Sequence, residues 1–172
     1  MIFIVTGPVH SGKTTLVKQV FNKLKEQGVQ ISGFLSERVS QGREIAGYDL
    51  FDLKTEKSRP FIRKQSKGEG ERVGPFFLIS QVLAEAKEII LQGKKADVLI
   101  VDEVGPLELS GKGFWPALEN VLQKLPKCIL LVAREDILDD LLDLIKKKEV
   151  RVFDLEEKEV LTRISEEIEA SL

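Results

Sequence analysis

The sequence predicts an α/β fold in three layers, with helices on both faces of a mainly parallel β-sheet. Short apolar runs, such as residues 98–101 and 128–133, have the length and composition of strands that are buried on both faces. Segments with apolar side chains at helical spacing lie between such runs, and this alternation is typical of parallel sheets. We expect a single domain over residues 1–172, because this is an ordinary length for one hydrophobic core.

The first half of the chain begins with a strand and a helix and then changes character. Residues 2–6 form an apolar strand, and residues 13–27 have helical spacing up to Gly28, where a helix C-cap is expected. Residues 30–39 and 45–53 read as strands joined by a polar turn, with a third strand near residues 59–62. We therefore expect an antiparallel β-hairpin excursion near residues 30–62. Residues 63–74 have the composition of a loop.

The second half returns to alternating helices and strands. We expect helices over residues 76–92, 112–125 and 136–148, and strands over residues 96–101, 127–133 and 150–153. Pro116 is compatible with a helix only in the first turn. Asp154 and Glu157 have the spacing of a capping box, which predicts that the last helix begins at Asp154.

Composition excludes several classes of protein. The chain has 26 basic and 28 acidic residues and a net charge of −2, which argues against nucleic acid as a partner. A lone cysteine, Cys128, in an apolar run predicts a buried thiol and no disulfide, and one histidine beside it makes a poor zinc site. No apolar run is long enough to span a membrane, and the N-terminus lacks the pattern of a signal peptide. We expect a cytoplasmic protein.

A phosphate-binding motif follows the first strand. It has the pattern G-x-x-x-x-G-K-[ST] of a P-loop and consists of Gly7, Pro8, Val9, His10, Ser11, Gly12, Lys13 and Thr14. Backbone N–H groups of such a loop and of the following helix surround phosphate oxygens. Lys13 is expected to reach the β- and γ-phosphates, the Thr14 hydroxyl to bind Mg²⁺, and Thr15 to contact the α-phosphate. We expect the position of His10 to supply its backbone rather than a catalytic base.

A pair of acidic residues follows the apolar strand at residues 98–101. Asp102 is placed at the carboxyl edge of a parallel sheet, where ligands bind, and is expected to hold Mg²⁺ as a Walker B aspartate does. Glu103 is expected to polarise the attacking water. Such a glutamate is typical of the P-loop class with one strand inserted between the P-loop and Walker B strands, and residues 127–133 would be that strand. Arg134 at its end either stabilises charge in phosphoryl transfer or pairs with Glu135 or Asp136.

Three further regions carry weaker signals. Glu37 and Arg38 end the second strand and are candidates for contacts with substrate or water. A basic set in residues 63–72 either closes over phosphates or is a solvated loop; it consists of Arg63, Lys64, Lys67 and Arg72. Phe114 and Trp115 either stack on a base or, as helix packing favours, lie in the core.

Three sequence blocks resemble the cancer-related nucleoside-triphosphatase family. They are T-G-x-x-x-S-G-K-T-T-L from residue 6, G-F-L-S-E-R-V and G-Y-D-L from residues 33 and 47, and V-D-E-V-G-P-L-E-L from residue 101. The resemblance implies a RecA-like strand order and Mg²⁺-dependent hydrolysis of ATP, GTP, CTP and UTP with low base selectivity. It also assigns Gly7 to Thr14 to the phosphate cradle and Asp102, Glu103 and Gly105 to the Walker B edge.

The chain departs from the family pattern around the γ-phosphate. Val9, His10 and Ser11 replace Pro-Gly-Val, Arg38 replaces a second glutamate, and residues 133–135 replace Thr-Ile-Pro. Two alternatives remain open at this point. The alternatives to a nucleoside triphosphatase are a small-molecule or nucleotide kinase and a GTP-binding accessory protein of molybdenum-cofactor assembly.

Overall fold

We describe a computed structural model of the chain over residues 1–64, 71–124, 126–145 and 148–172. The strands are β1 (Ile2–Thr6), β2 (Ile31–Gln41), β3 (Glu44–Asp52), β4 (Lys57–Arg63), β5 (Arg72–Val73), β6 (Phe76–Leu78), β7 (Val98–Val104), β8 (Cys128–Ala133) and β9 (Val150–Asp154). The α-helices are α1 (Lys13–Glu26), α2 (Ser80–Gln92), α3 (Pro106–Leu109), α4 (Trp115–Gln123), α5 (Leu138–Leu144) and α6 (Val160–Glu169). No described helix has both the length and the apolar character needed to cross a bilayer.

All the described strands join one mixed sheet in the order β5-β6-β4-β3-β2-β7-β8-β1-β9. The five strands from β2 to β9 in this order are parallel, while β3, β4, β6 and β5 continue the sheet antiparallel. The α/β fold and the antiparallel excursion are confirmed. The inserted strand is confirmed as well, because β8 lies between β1 and β7 as a RecA-like order requires.

Helices cover both faces of the sheet because side chains alternate along each buried strand. Phe3 and Val5 point to the face covered by α1 and α6, whereas Ile4 points to the face covered by α2, α4 and α5. The single thiol, Cys128, is fully buried, as expected. The two cores on either side of the sheet give the three predicted layers.

One close approach sets the spacing of β2 and β7. Gly33 lies opposite Ile100 in the parallel pair and has φ +127°. A Cβ atom at this position would lie 1.8 Å from the Ile100 carbonyl oxygen, so only glycine fits. The lack of a side chain at Gly33 therefore lets β2 pair closely with β7, the strand that carries Asp102 and Glu103.

Several predicted element boundaries are wrong. Phe76–Leu78 is a strand rather than the first turn of a helix, because it pairs with β4. It also pairs with Arg72–Val73, which is a strand in a region predicted as loop. β7 continues through Asp102 and Glu103 to Val104 instead of ending before them. The predictions for Lys67, for the rest of residues 65–70, for residue 125 and for residues 146–147 concern positions outside the described residues.

The helices after β7 are shorter than the sequence pattern indicates. The expected helix over residues 112–125 is α4 (Trp115–Gln123), with Pro116 in its first turn, and the short helix α3 before it was not predicted. The expected helix over residues 136–148 is a 3-10 turn, Glu135–Ile137, followed by α5.

The two helix-end signals have different outcomes. The C-cap at Gly28 is confirmed: its N–H bonds to Lys25, and the Val29 N–H bonds to Leu24, which is a Schellman motif. Half of the capping box forms: Glu157 Oε1 accepts the N–H of Asp154 at 2.9 Å, but Asp154 Oδ1 accepts the N–H of Glu156 rather than that of Glu157. It closes a turn after β9, however, and α6 begins only at Val160, so the predicted helix start is wrong.

Candidate nucleotide site

The P-loop connects the end of β1 to the start of α1. Gly12, the residue before α1, has φ +105°, a conformation that glycine adopts without strain. The Lys13 ammonium is buried and donates to the carbonyl oxygens of Gly7 at 3.0 Å and Pro8 at 2.7 Å. Ser11 Oγ also donates to Pro8 at 2.7 Å. These bonds fold the loop around the lysine, while Ser11, Gly12 and Thr15 beside it are exposed.

Asp102 is a buried carboxyl group beside the P-loop. Its Oδ2 accepts the N–H of Ser36 at 3.1 Å, and the Ser36 hydroxyl donates to its backbone oxygen at 2.6 Å. Burial raises the pKa of Asp102 to about 7, and a hydrogen bond from Thr14 partly offsets this rise. Its Oδ1 meets no well-aligned donor among the described residues.

Thr14 and Asp102 together fit a magnesium ion. Mg²⁺ prefers oxygen ligands and is commonly held by one or two protein groups together with waters and substrate phosphates. A hydroxyl beside a buried carboxylate oxygen with no aligned donor is such a donor set. Within the described ranges, no cluster of three or more histidine, cysteine, aspartate or glutamate residues forms a cage made of protein alone.

Glu103 lies at the edge of the sheet next to the P-loop lysine. Its Oε2 is 3.7 Å from Lys13 Nζ, and its side chain is 35% exposed. Burial raises the pKa of Glu103, while the positive charges of Lys13, Arg134 and His10 oppose the rise. The structure thus places three residues that the sequence analysis named, two from the P-loop and one after β8, around one carboxylate.

The segment after Glu103 is organised by a glutamate that the sequence analysis did not single out. Glu108 is buried and its Oε2 accepts the N–H of Gly105, the residue before α3, at 3.1 Å. The N–H of Phe114 also binds this carboxyl group. Desolvation raises the pKa of Glu108 to about 7. Glu108 belongs to the V-G-P-L-E-L block, but its hydrogen bonds to Gly105 and Phe114 depend on how the chain folds back on itself.

Arg134 follows β8 and makes the ion pair that was one of its two interpretations. Its Nε lies 3.1 Å from Asp136 Oδ1, and its Nη2 donates to Asp136 Oδ2 at 3.1 Å. Its charge also acts on Glu103. The ion pair with Asp136 therefore leaves the Arg134 guanidinium close enough for its charge to act on Glu103.

The weaker candidates lie in different parts of the fold. Glu37 pairs with Lys18 of α1 at 2.5 Å, whereas the side chain of Arg38 is exposed. Arg63 is not in a loop: it ends β4 and pairs with Asp49. Phe114 and Trp115 are buried, so the packing interpretation is confirmed.

Lys64 and Arg72 flank the part of the basic segment that lies outside the described residues. Lys64 pairs with Glu44 at 2.7 Å, and Arg72 donates to the Gly74 carbonyl oxygen at 2.9 Å. Both are engaged with neighbouring parts of the sheet, as solvated surface cations often are.

Tyr48 is a neighbour of the acidic pair that the sequence analysis missed. It lies opposite Arg38 in the β2–β3 ladder. The charges of Glu103 and Asp102 raise the pKa of the phenol, in addition to the larger effect of burial. Its position depends on the register of two strands, which no local pattern reveals.

Comparison with known proteins identifies the family. A family model described as NTPase matches residues 2–168. The chain belongs to this NTPase family. The nucleoside-triphosphatase THEP1 of Archaeoglobus fulgidus is 32% identical over 167 residues, covering 95% of this chain and 94% of the relative. That of Methanopyrus kandleri is 33% identical over 130 residues, covering 75% and 71%.

A solved structure of the family has the same fold. The solution structure of a human cancer-related nucleoside triphosphatase superposes with a TM-score of 0.71 at 26% identity, covering 98% of this chain and 95% of the other. The resemblance stated from the sequence blocks is confirmed, and the chain is an enzyme of the nucleoside-triphosphatase class.

Proposed function

We propose that the enzyme hydrolyses nucleoside triphosphates with Mg²⁺ and low base selectivity, using Glu103 to activate water. The observation that carries this proposal is the 3.7 Å contact between Glu103 and Lys13 at the carboxyl edge of the sheet. A lysine that binds the γ-phosphate would bring that phosphate next to a carboxylate able to accept a proton. The reaction would take place within the single domain predicted from the sequence.

The chain's own residues divide the work of phosphoryl transfer. The P-loop, Gly7 to Thr14, binds phosphate oxygens through its backbone, Lys13 neutralises charge on the β- and γ-phosphates, and Thr15 contacts the α-phosphate. Thr14 and Asp102 would hold Mg²⁺, which when bound neutralises charge on the phosphate oxygens. Gly105 follows the acidic pair and shapes its edge of the site.

Glu103 accepts the proton of the attacking water. The water oxygen forms a bond to the γ-phosphorus, the bond to the bridging oxygen breaks, and its electron pair leaves on the nucleoside diphosphate. The proton then passes from Glu103 to solvent or to the released phosphate. Arg134, held by Asp136, faces the same carboxylate and would stabilise charge that develops on the transferred group.

Low base selectivity is supported by the sequence, in which no guanine-reading N-K-x-D motif occurs. The buried Phe114 and Trp115 are also unavailable to stack on a base. The P-loop contacts of the proposal involve only phosphates, which all nucleoside triphosphates share.

The test combines four substrates with one variant. We expect comparable phosphate release from ATP, GTP, CTP and UTP with Mg²⁺, and none after its removal by a chelator. Glu103→Gln should retain nucleotide binding and lose turnover by about 10²- to 10⁴-fold, since a general base contributes on that scale. Lys13→Ala should lose both, whereas the exposed hairpin variant Glu44→Gln should behave as the parent enzyme.

Two outcomes would contradict the proposal. Parental turnover in Glu103→Gln would remove Glu103 from the chemistry. Tight binding of nucleotide with negligible phosphate release from the parent enzyme would favour a kinase lacking its acceptor, or, if only GTP bound, a GTP-binding accessory protein.

A further inference from the structure

The hairpin of β2 and β3 extends past the point where β2 stops pairing with β7. The pairing of β2 with β7 stops at Phe34 and Val101, yet β2 continues to Gln41. Ser36 fastens this extension to Asp102 through two hydrogen bonds. The next residue on the same face of β2 is Arg38, and Tyr48 lies directly opposite it on β3. The two side chains therefore project side by side from the same face of the hairpin.

The position of Tyr48 is fixed by its surroundings. Its ring packs edge-on against Phe76, with centroids 6.0 Å apart. Arg63 Nη1 donates to the Tyr48 carbonyl oxygen at 2.8 Å, and Arg63 Nη2 binds the carboxylate of Asp49, the next residue. Burial raises the pKa of the Tyr48 phenol, and the charges of Glu103 and Asp102 add to the rise, so the hydroxyl remains a hydrogen-bond donor.

Arg38 and Tyr48 retain unused hydrogen-bonding capacity. In the part of the chain that the structure describes, neither the Arg38 guanidinium nor the Tyr48 hydroxyl makes a hydrogen bond, and Arg38 has no carboxylate partner. A cation and a neutral donor side by side suit an oxyanion.

The order of the strands shows which side of the reaction this pair faces. Along the carboxyl edge, β3 and β2 lie on one side of β7, and β8 and the P-loop strand β1 lie on the other. Arg38 and Tyr48 are therefore beyond Glu103 as seen from Lys13. In an in-line displacement the water attacks from the side opposite the leaving diphosphate, and the released phosphate moves towards that side.

We propose that Arg38 and Tyr48 form a subsite for the departing inorganic phosphate, on the far side of Glu103 from the P-loop. The subsite rests on the proposed placement of the γ-phosphate between Lys13 and Glu103. It binds the phosphate oxyanion after cleavage, and it makes no contact with the nucleoside or with the α- and β-phosphates.

Product inhibition tests this subsite. Formation of ADP from ATP is measured chromatographically at increasing inorganic phosphate, with potassium chloride keeping the ionic strength constant. Loss of a charge-assisted bond should raise the phosphate inhibition constant about tenfold in Arg38→Gln, and loss of the O–H should raise it several-fold in Tyr48→Phe. KM for ATP should stay near the parent value in both. Arg43→Gln, an equal charge change at the exposed hairpin turn, should retain the parent inhibition constant.

Three results would overturn the subsite: no inhibition of the parent by phosphate, unchanged inhibition constants in both variants, or a rise in KM as large as the rise in the inhibition constant. The last result would mean that the pair binds ATP itself. Failure of Glu103→Gln to lose turnover would instead contradict water activation by Glu103. The two proposals therefore fail separately.

Discussion

The buried Glu108 should make the stability of the fold depend on pH in a way that one substitution removes. Its pKa rises from 4.5 to about 7 in the folded protein because burial penalises the charged form. Below pH 4.5 the carboxyl group is neutral in both states. Between these values the unfolded chain releases the proton that the folded protein retains, so the free energy of unfolding falls as pH rises.

The size of this effect follows from the difference between the two pKa values. Each pH unit in this interval lowers the free energy of unfolding by about 1.4 kcal/mol. The loss is therefore about 3 kcal/mol between pH 4.5 and pH 7, and stability falls no further above pH 7. Glu108→Gln cannot ionise, so its contribution stays constant with pH. Its amide N–H₂ group replaces one acceptor oxygen and adds a constant penalty. The slope with pH, rather than stability at one pH, is therefore the test.

Urea unfolding of both proteins from pH 5 to pH 8 measures this slope. Trp115 is the only tryptophan and is buried, so its fluorescence reports unfolding. The parent should lose stability relative to Glu108→Gln as pH rises through this range. Parallel curves for the two proteins would show that Glu108 does not retain its proton and would refute the reasoning.

Two further substitutions test separate parts of the structure. Arg134→Ala should lower kcat at least about tenfold while nucleotide affinity stays constant, because its charge acts on the transition state; an unchanged kcat would leave only the ion pair with Asp136. Gly33→Ala should lower the free energy of unfolding by about 3 kcal/mol, since the new Cβ would lie 1.8 Å from the Ile100 carbonyl oxygen. Gly28→Ala is its control, with a positive φ and open space, and should cost about 1 kcal/mol; equal losses in urea unfolding would contradict the steric argument.

Much of the fold could be predicted because its signals are local. The apolar strand, the glycines of the P-loop and the start of α1 occupy neighbouring positions, so their pattern specifies both the backbone conformation and the chemistry. The Schellman motif at Gly28 is equally local and forms as expected. The inserted strand β8 was predicted from the Asp102–Glu103 pair, since this pair is typical of one strand order.

The predicted boundaries of helices and strands are wrong where a partner distant in sequence determines the conformation. Phe76–Leu78 has helical spacing but becomes a strand because β4 offers backbone hydrogen bonds to it. The pair Asp154 and Glu157 makes one of the two hydrogen bonds of a capping box and yet does not start α6. Local preferences in such segments are worth only fractions of a kcal/mol per residue, and tertiary pairing outweighs them.

The sequence by itself determined the class of fold, the phosphate-binding loop and the acidic pair, because each depends on residues that are adjacent in the chain. Only the tertiary structure decided what surrounds Glu103. Lys13, Arg134 and Tyr48 reach its neighbourhood from β1–α1, β8 and β3, and burial is a property of that assembly. Charge, distance and desolvation act through space, so the chemistry of the carboxylate depends on side chains that are far from it in sequence.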